Sequence, residues 1–290
     1  MTQEEFTALL SKGKVLLDGA TGSNLMKAGM PKGVCTEDWI LQHPEPLLNL
    51  QREYVSAGSQ IIYASTFSAN RYSLARYGME QRVREINERL VELSKKAADG
   101  KALVAGDMTT TGTALEPNGP MEYNRLFDIY AEQAQVLATA GADLLVIETM
   151  LGVDETTVAL EAAKSVCELP VMCSMTVQAD GSLYFGGFCT DAVQPLTELG
   201  ASAVGINCSL GPEQLTAIVR NMKAEGGAPL LVKPNAGMPE LTERGEAVYP
   251  MDAEEFAEHM GTLLEAGADI IGGCCGTTPE FIRILKEKYL

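Results

Sequence analysis

Four times along this chain a glycine stands between the end of a helical pattern and the start of an apolar run. The four are Ala57-Gly58-Ser59, Ala140-Gly141-Ala142, Leu199-Gly200-Ala201 and Ala266-Gly267-Ala268. Glycine accepts the left-handed conformation that closes a helix, and a strand following at once makes an αβ loop. Used repeatedly, that loop commits the chain to alternating helices and strands. Eight runs fit the strand role: 15–20, 60–66, 102–108, 144–150, 170–177, 203–209, 230–236 and 270–275. Most are continuously apolar, as parallel strands buried on both faces must be. Helical spacing lies between them, in Val83, Ile86, Leu90, Leu93 and Ala97, and in Phe256, Met260, Leu263 and Leu264. Asp252 with Glu255 has the form of a capping box, and Thr278-Pro279 that of an N-cap with proline in the first turn.

Eight strands alternating with helices over roughly 250 residues predict the α/β class, as one (β/α)8 TIM barrel spanning 1–290. A doubly wound open sheet would carry a Gly-x-Gly-x-x-Gly turn after its first strand. Asp18-Gly19-Ala20-Thr21-Gly22 is not that turn, and no linker divides the chain.

Composition removes several classes of partner. The net charge of −17 argues against nucleic acid and anionic membranes. No run of about 18 apolar residues is present to span a bilayer. The acidic start, Met1 to Phe6, lacks the form of a signal peptide. Seven cysteines without dense spacing do not suggest a secreted disulfide scaffold, so a reducing cytoplasm is the expected location.

In a barrel of this kind the active site is built at the C-terminal strand ends. Here those ends carry Asp18, Ser65, Thr66, Asp107, Glu148, Thr149, Thr176, Asn207, Cys208, Lys233, Asn235, Cys274 and Cys275. Cys208 ends one run. Cys274 and Cys275 end another, framed by Gly272, Gly273 and Gly276. Neighbouring strand residues face opposite ways, so the pair shares a target only if the strand breaks there, which glycine permits. Three thiolates make a soft, zinc-selecting set with one position left over. The plainer reading of any single cysteine is a small buried hydrophobe. Closing strand eight onto strand one brings the cysteines, Asn235 and Asp18 around one arc of the rim. Asp18 and Glu148 are suited to acid–base work or to gripping an ammonium. The backbone at 19–22 offers N–H groups to a carboxylate. Together these features suit an amino-acid substrate.

The motifs Asp18-Gly19-Ala20-Thr21-Gly22-Ser23, Gly205-Ile206-Asn207-Cys208-Ser209-Leu210-Gly211-Pro212, Lys233-Pro234-Asn235-Ala236-Gly237 and Gly272-Gly273-Cys274-Cys275-Gly276-Thr277-Thr278-Pro279 resemble the homocysteine S-methyltransferase family. The likeness runs nearly end to end. It is closest to the homocysteine-binding barrel of cobalamin-dependent methionine synthase, more than to the betaine-dependent branch. The resemblance implies zinc on Cys208, Cys274 and Cys275, and homocysteine as methyl acceptor, giving methionine. It implies Asp18 and Glu148 near the substrate amino group, with Gly19, Ala20, Ser65 and Thr66 on the substrate side. Asn235 matches a residue near the open zinc position.

The implied chemistry is coherent. A free thiol is mostly protonated at neutral pH, and zinc deprotonates it. Three cysteine thiolates add excess negative charge that keeps electron density on the substrate sulfur. No general base is then required, and the only histidines, His43 and His259, lie away from strand ends. Full methionine synthases also carry folate, corrinoid and reactivation domains, for which 290 residues leave no room. The methyl donor is therefore expected from outside, as a methylcorrinoid on a separate protein or a small sulfonium such as S-methylmethionine. Two rivals differ in class. A zinc hydrolase usually needs histidine and carboxylate ligands. A non-catalytic partner in a corrinoid or metal-carrier system would hold a structural zinc with a fourth cysteine. Cys189 is the best candidate for that ligand, ahead of Cys35, Cys167 and Cys173.

Overall fold

All eight expected strands form, and each pairs in parallel with its neighbours. They are β1 (Val15–Leu16), β2 (Ile61–Tyr63), β3 (Leu103–Thr109), β4 (Leu144–Met150), β5 (Val171–Met175), β6 (Ala203–Asn207), β7 (Leu230–Lys233) and β8 (Ile270–Ile271). The structure is a computed structural model and describes residues 1–208, 210–242 and 247–290. Hydrogen bonding runs β1-β8-β7-β6-β5-β4-β3-β2. A parallel bridge from Leu17 to Ile61, with Gln60 N–H donating to the Leu16 carbonyl at 2.8 Å, joins the two ends. The architecture is a (β/α)8 barrel, as the sequence predicts.

The four αβ glycines behave as expected, with φ of 109° at Gly58, 95° at Gly141, 92° at Gly200 and 120° at Gly267. Asp252 caps its helix by accepting the Glu255 N–H at 2.9 Å. Thr278 stands at the N-cap before Pro279 but makes no side-chain cap bond.

Several strands are shorter than the sequence suggests: the run 60–66 gives only Ile61–Tyr63 and the run 230–236 only Leu230–Lys233, and two others shorten further. The runs 15–20 and 270–275 each give a two-residue strand, because their last residues leave the ladder and fold over the rim. Gly272 makes this possible. A Cβ there would lie 2.8 Å from both the Asp18 carbonyl and the Leu17 Cβ, so only glycine lets β8 press against β1. The run 203–209 ends at Asn207 as a strand, and its last residue, Ser209, lies outside the described residues. A small antiparallel ribbon, Glu240–Leu241 with Ala247–Val248, sits in the loop after β7 and was not foreseen.

The barrel interior has two layers. The lower one is apolar. Leu17, Ile61, Leu144, Val146, Met172 and Leu231 meet in one cluster, and Phe6 of the helix Gln3–Leu10 packs into it with them. One inward position further along the strands, the side chains become Asp107, Glu148, Ser174, Asn207 and Lys233. All five are buried. The outward strand faces pack against the helices in the largest apolar cluster. Among the described residues no helix is long and apolar enough to cross a membrane.

Candidate active site

Three rim segments are laced together by backbone hydrogen bonds beyond the ends of the strands. Cys208 N–H donates to the Lys233 carbonyl at 3.1 Å, and Cys274 N–H to the Pro234 carbonyl at 2.6 Å. Asn235 N–H donates to Leu210 at 3.0 Å, and Ala236 N–H to the Cys275 carbonyl at 2.9 Å. The segment after β7 thus ties the end of β6 to the end of β8. As a result the sulfurs of Cys208, Cys274 and Cys275 all lie within 4.8 Å of one another. Cys208 and Cys275 are 4.0 Å apart, sulfur to sulfur.

That spacing suits a metal. Sulfurs placed tetrahedrally around zinc at about 2.3 Å stand about 3.8 Å apart. Among the described residues this is the one group of three or more histidines, cysteines or acids so placed. Cys189 is not part of it and is buried in the outer core. The three thiols share charge. Hydrogen bonds with Cys208 and Cys274 pull the Cys275 thiol down to about 3, and those with Cys208 and Cys275 drive Cys274 well up. The Tyr249 hydroxyl also hydrogen bonds to Cys275. Tyr249 lies in the long loop after β7, and the sequence analysis did not single it out.

A cavity of about 260 Å³ opens beside the cysteines. Its wall includes Gly19, Ala20, Tyr63, Ser65, Asp107, Glu148, Lys233 and all three cysteines. Gly19 is glycine by necessity, since a Cβ there would meet the Tyr54 hydroxyl at 2.6 Å. The Ala20 N–H is already used, donating to Thr277 Oγ1 at 3.1 Å. Three expected residues, Asp18, Thr66 and Asn235, are not on the wall, and Asp18 is buried beneath it. Thr66 is fully buried, and its hydroxyl donates to the Asp107 carbonyl at 2.8 Å, joining β2 to β3. Asn235 is buried between the cysteine segments, and its Oδ1 has no hydrogen-bond partner.

The polar layer forms the cavity floor. Asp18 Oδ2 accepts the Tyr63 N–H at 2.8 Å, and Oδ1 lies 3.2 Å from Lys233 Nζ. That second contact is an ion pair, not an aligned hydrogen bond. Lys233 Nζ also sits 4.4 Å from the centre of the Tyr63 ring. Burial raises the Asp18 pKa, and Lys233 only partly offsets it. Burial pushes the Lys233 ammonium down, but Asp18 and Glu148 outweigh it and hold its pKa well above the ordinary value. Burial also pushes Glu148 up to about 7, against the pull of Lys233.

Asn207 orients this layer. Its Oδ1 accepts from Thr149 N–H and Ser174 Oγ, both at 2.8 Å. Its Nδ2 donates to Thr149 Oγ1 at 2.7 Å and Glu148 Oε2 at 3.3 Å. Thr149 and Cys208 have φ of 59° and 63°, a conformation that costs non-glycine residues about 1–3 kcal/mol and clusters at functional sites. Asp107, Asn207 and Lys233 were legible as strand-end residues but not as parts of one floor. Their shared inward parity was the available signal.

Comparison with known proteins agrees with this geometry. A TIM barrel with a three-cysteine rim is the class of protein the structure defines, and the homocysteine S-methyltransferase family model matches residues 15–289. The chain belongs to that family. It is 31% identical over 284 residues to methionine synthase of Mycobacterium leprae (strain TN), covering 92% of this chain and 23% of that protein. It is 30% identical over 293 residues to methionine synthase of Mycobacterium tuberculosis (strain ATCC 25618 / H37Rv), covering 95% and 24%. The chain therefore spans about a quarter of the length of these curated relatives. The metallated crystal form of the homocysteine methyltransferase MmuM from Escherichia coli superposes with a TM-score of 0.83 at 26% identity, covering 97% of this chain and 98% of that one.

Proposed function

We propose that this chain transfers a methyl group to the thiol of homocysteine, giving methionine. The observation that carries the reading is the convergence of Cys208, Cys274 and Cys275 on a cavity walled by carboxylates. Zinc held by those three residues would bind the homocysteine sulfur as thiolate, its nucleophilic form. The remaining work falls to the chain itself. Glu148, steadied by Asn207, faces the substrate ammonium. Asp18 neutralises Lys233 beneath it. Gly19 and Ala20 shape the wall through their backbone, and Ser65 brings a buried, unpartnered hydroxyl to the polar end of the substrate. Thr66 holds Asp107's strand end in place. Asn235, with a free amide oxygen between the cysteine segments, is assigned the place beside the metal's fourth position. Neither His43 nor His259 lines the cavity, so no imidazole is assigned a role in taking the thiol proton. Seven cysteines, none of them in a disulfide, suit a reducing compartment, and we assign the cytoplasm.

We assign the donor as a methylcorrinoid on a separate protein. The likeness to methionine synthases supports this, as do Tyr184, Phe185, Phe188, Met238 and Val248, exposed on the rim loops after β5 and β7. A donor small enough to enter the cavity has no use for an apolar rim outside it. S-methylmethionine is the second reading, favoured by the match to the Escherichia coli enzyme over 98% of its chain. The test incubates zinc-loaded protein and homocysteine with methylcobalamin or with S-methylmethionine and measures methionine. Methionine from methylcobalamin supports the assignment. Methionine from S-methylmethionine alone replaces the donor. Methionine from neither contradicts the reading.

A further inference from the structure

Gly19 and Ala20 on the cavity wall and the metal-binding Cys274 come from opposite ends of the chain, and one hydroxyl joins them. Thr277 is fully buried and is not itself on the wall. Its Oγ1 accepts the Ala20 N–H at 3.1 Å and donates to the Cys274 carbonyl at 2.8 Å. Two glycines make room for that oxygen. A Cβ on Gly273 would lie 2.5 Å from it, and a Cβ on Gly19 2.8 Å from it. Asn24 adds a parallel tie. Its Nδ2 donates to the Ala20 carbonyl at 2.8 Å and to the Thr277 carbonyl at 2.9 Å.

The two sides of this bridge are not held equally. Cys274 has other anchors, since its N–H donates to the Pro234 carbonyl at 2.6 Å and its carbonyl also accepts the Thr277 N–H at 3.2 Å. The buried Ala20 N–H donates to the Thr277 hydroxyl and, among the described residues, to nothing else. A buried N–H left unpaired costs free energy, so without the hydroxyl the wall shifts to pair it elsewhere. Loss of the bridge therefore moves the wall and leaves the metal ligand in place.

We propose that Thr277, supported by Asn24, is a positioning residue of the thiol-acceptor site: its hydroxyl sets how far the Gly19–Ala20 wall stands from the metal, so that a thiol bound there brings its amino-acid end into register with the wall. The inference rests on the thiol-acceptor reading above. Thr277 acts through the wall and not on the substrate.

Zinc-loaded protein is titrated calorimetrically with homocysteine and with 2-mercaptoethanol, which keeps the thiol and lacks the amino-acid end. Thr277→Val, alike in shape without the hydroxyl, is expected to keep its zinc and to bind homocysteine roughly 3- to 12-fold more weakly, the loss of one hydrogen bond. Its affinity for 2-mercaptoethanol is expected to stay within about twofold. Thr277→Ser, which restores the oxygen, should return homocysteine affinity to within about twofold of wild type. Asn24→Ala, at a half-buried position, should show the same split between the two thiols, and it decides the matter if Thr277→Val does not fold. Equal weakening of both thiols overturns the proposal, as does loss of zinc from folded Thr277→Val, a serine variant no better than the valine one, or homocysteine affinity unchanged in Thr277→Val. Wild-type protein that binds neither thiol overturns the thiol-acceptor reading itself, a different result from any of these.

Discussion

The two interior layers of this barrel use the same strands and the same inward parity, yet they are built for opposite ends. In the lower layer Leu17, Ile61, Val146, Met172 and Leu231 leave no polar atom to satisfy. In the upper layer Asp107, Glu148, Ser174, Asn207 and Lys233 crowd charged and polar groups into the same buried space. Burial of apolar area stabilises a fold whether or not anything binds. Buried carboxyls with raised pKa values do the reverse until a ligand arrives. The comparison shows where stability ends and function begins, about one strand position apart.

The largest expected effect separates the layers outright. Leu144→Ala, in the lower layer, should lose about 2–5 kcal/mol of stability through the cavity it leaves. The folded fraction should still bind metal with unchanged stoichiometry. Cys275→Ala, on the rim, should do the opposite, losing most bound zinc with little change in the metal-free melting curve. Denaturant titration beside metal analysis reads both. A Leu144→Ala protein that stays fully stable, or a Cys275→Ala protein that keeps its zinc, breaks the comparison.

A smaller effect sharpens it. The Glu148 pKa stands at about 7 in the folded protein against an ordinary value of 4.5. A carboxyl raised on folding stabilises the fold below its unfolded value and loses that contribution as pH rises through the folded value. The ligand-free protein should therefore weaken between about pH 4.5 and 7, by at most roughly 3 kcal/mol from this group. Asp18 and Asp107, also raised by burial, act in the same direction. Glu148→Gln should flatten the decline. Unfolding followed from pH 5 to 8 checks this, and a slope unaltered in Glu148→Gln would assign the titration elsewhere.

What the sequence made legible follows from how local each signal is. The αβ glycines announce themselves because a left-handed C′ position is a property of a few consecutive residues. The barrel followed from counting them against apolar runs. The Cys274-Cys275 pair was legible through its glycine frame, since adjacent cysteines can converge only where a strand breaks. Strand length was not legible at β1 and β8, because the contacts between Gly272 and Asp18 at the ends of those ladders join neighbouring strands far apart in sequence. The same holds for Tyr249, which reaches Cys275 from a loop whose path no spacing encodes. Asp18 was visible as an acid at a strand end, but its commitment to Lys233 depends on which side of β7 faces inward. Asp107 was visible for the same reason and passed over, because an unpartnered carboxyl is a fact of the assembled wall.

The central claim is that three cysteines on two strand ends hold one metal ion and leave one position for the substrate's sulfur. X-ray absorption at the zinc edge tests it most directly, on metal-loaded protein before and after homocysteine is added. The account predicts three sulfurs at about 2.3 Å and one lighter atom without homocysteine, changing to four sulfurs with it. Four sulfurs before homocysteine, or three sulfurs unchanged after it, would contradict the account.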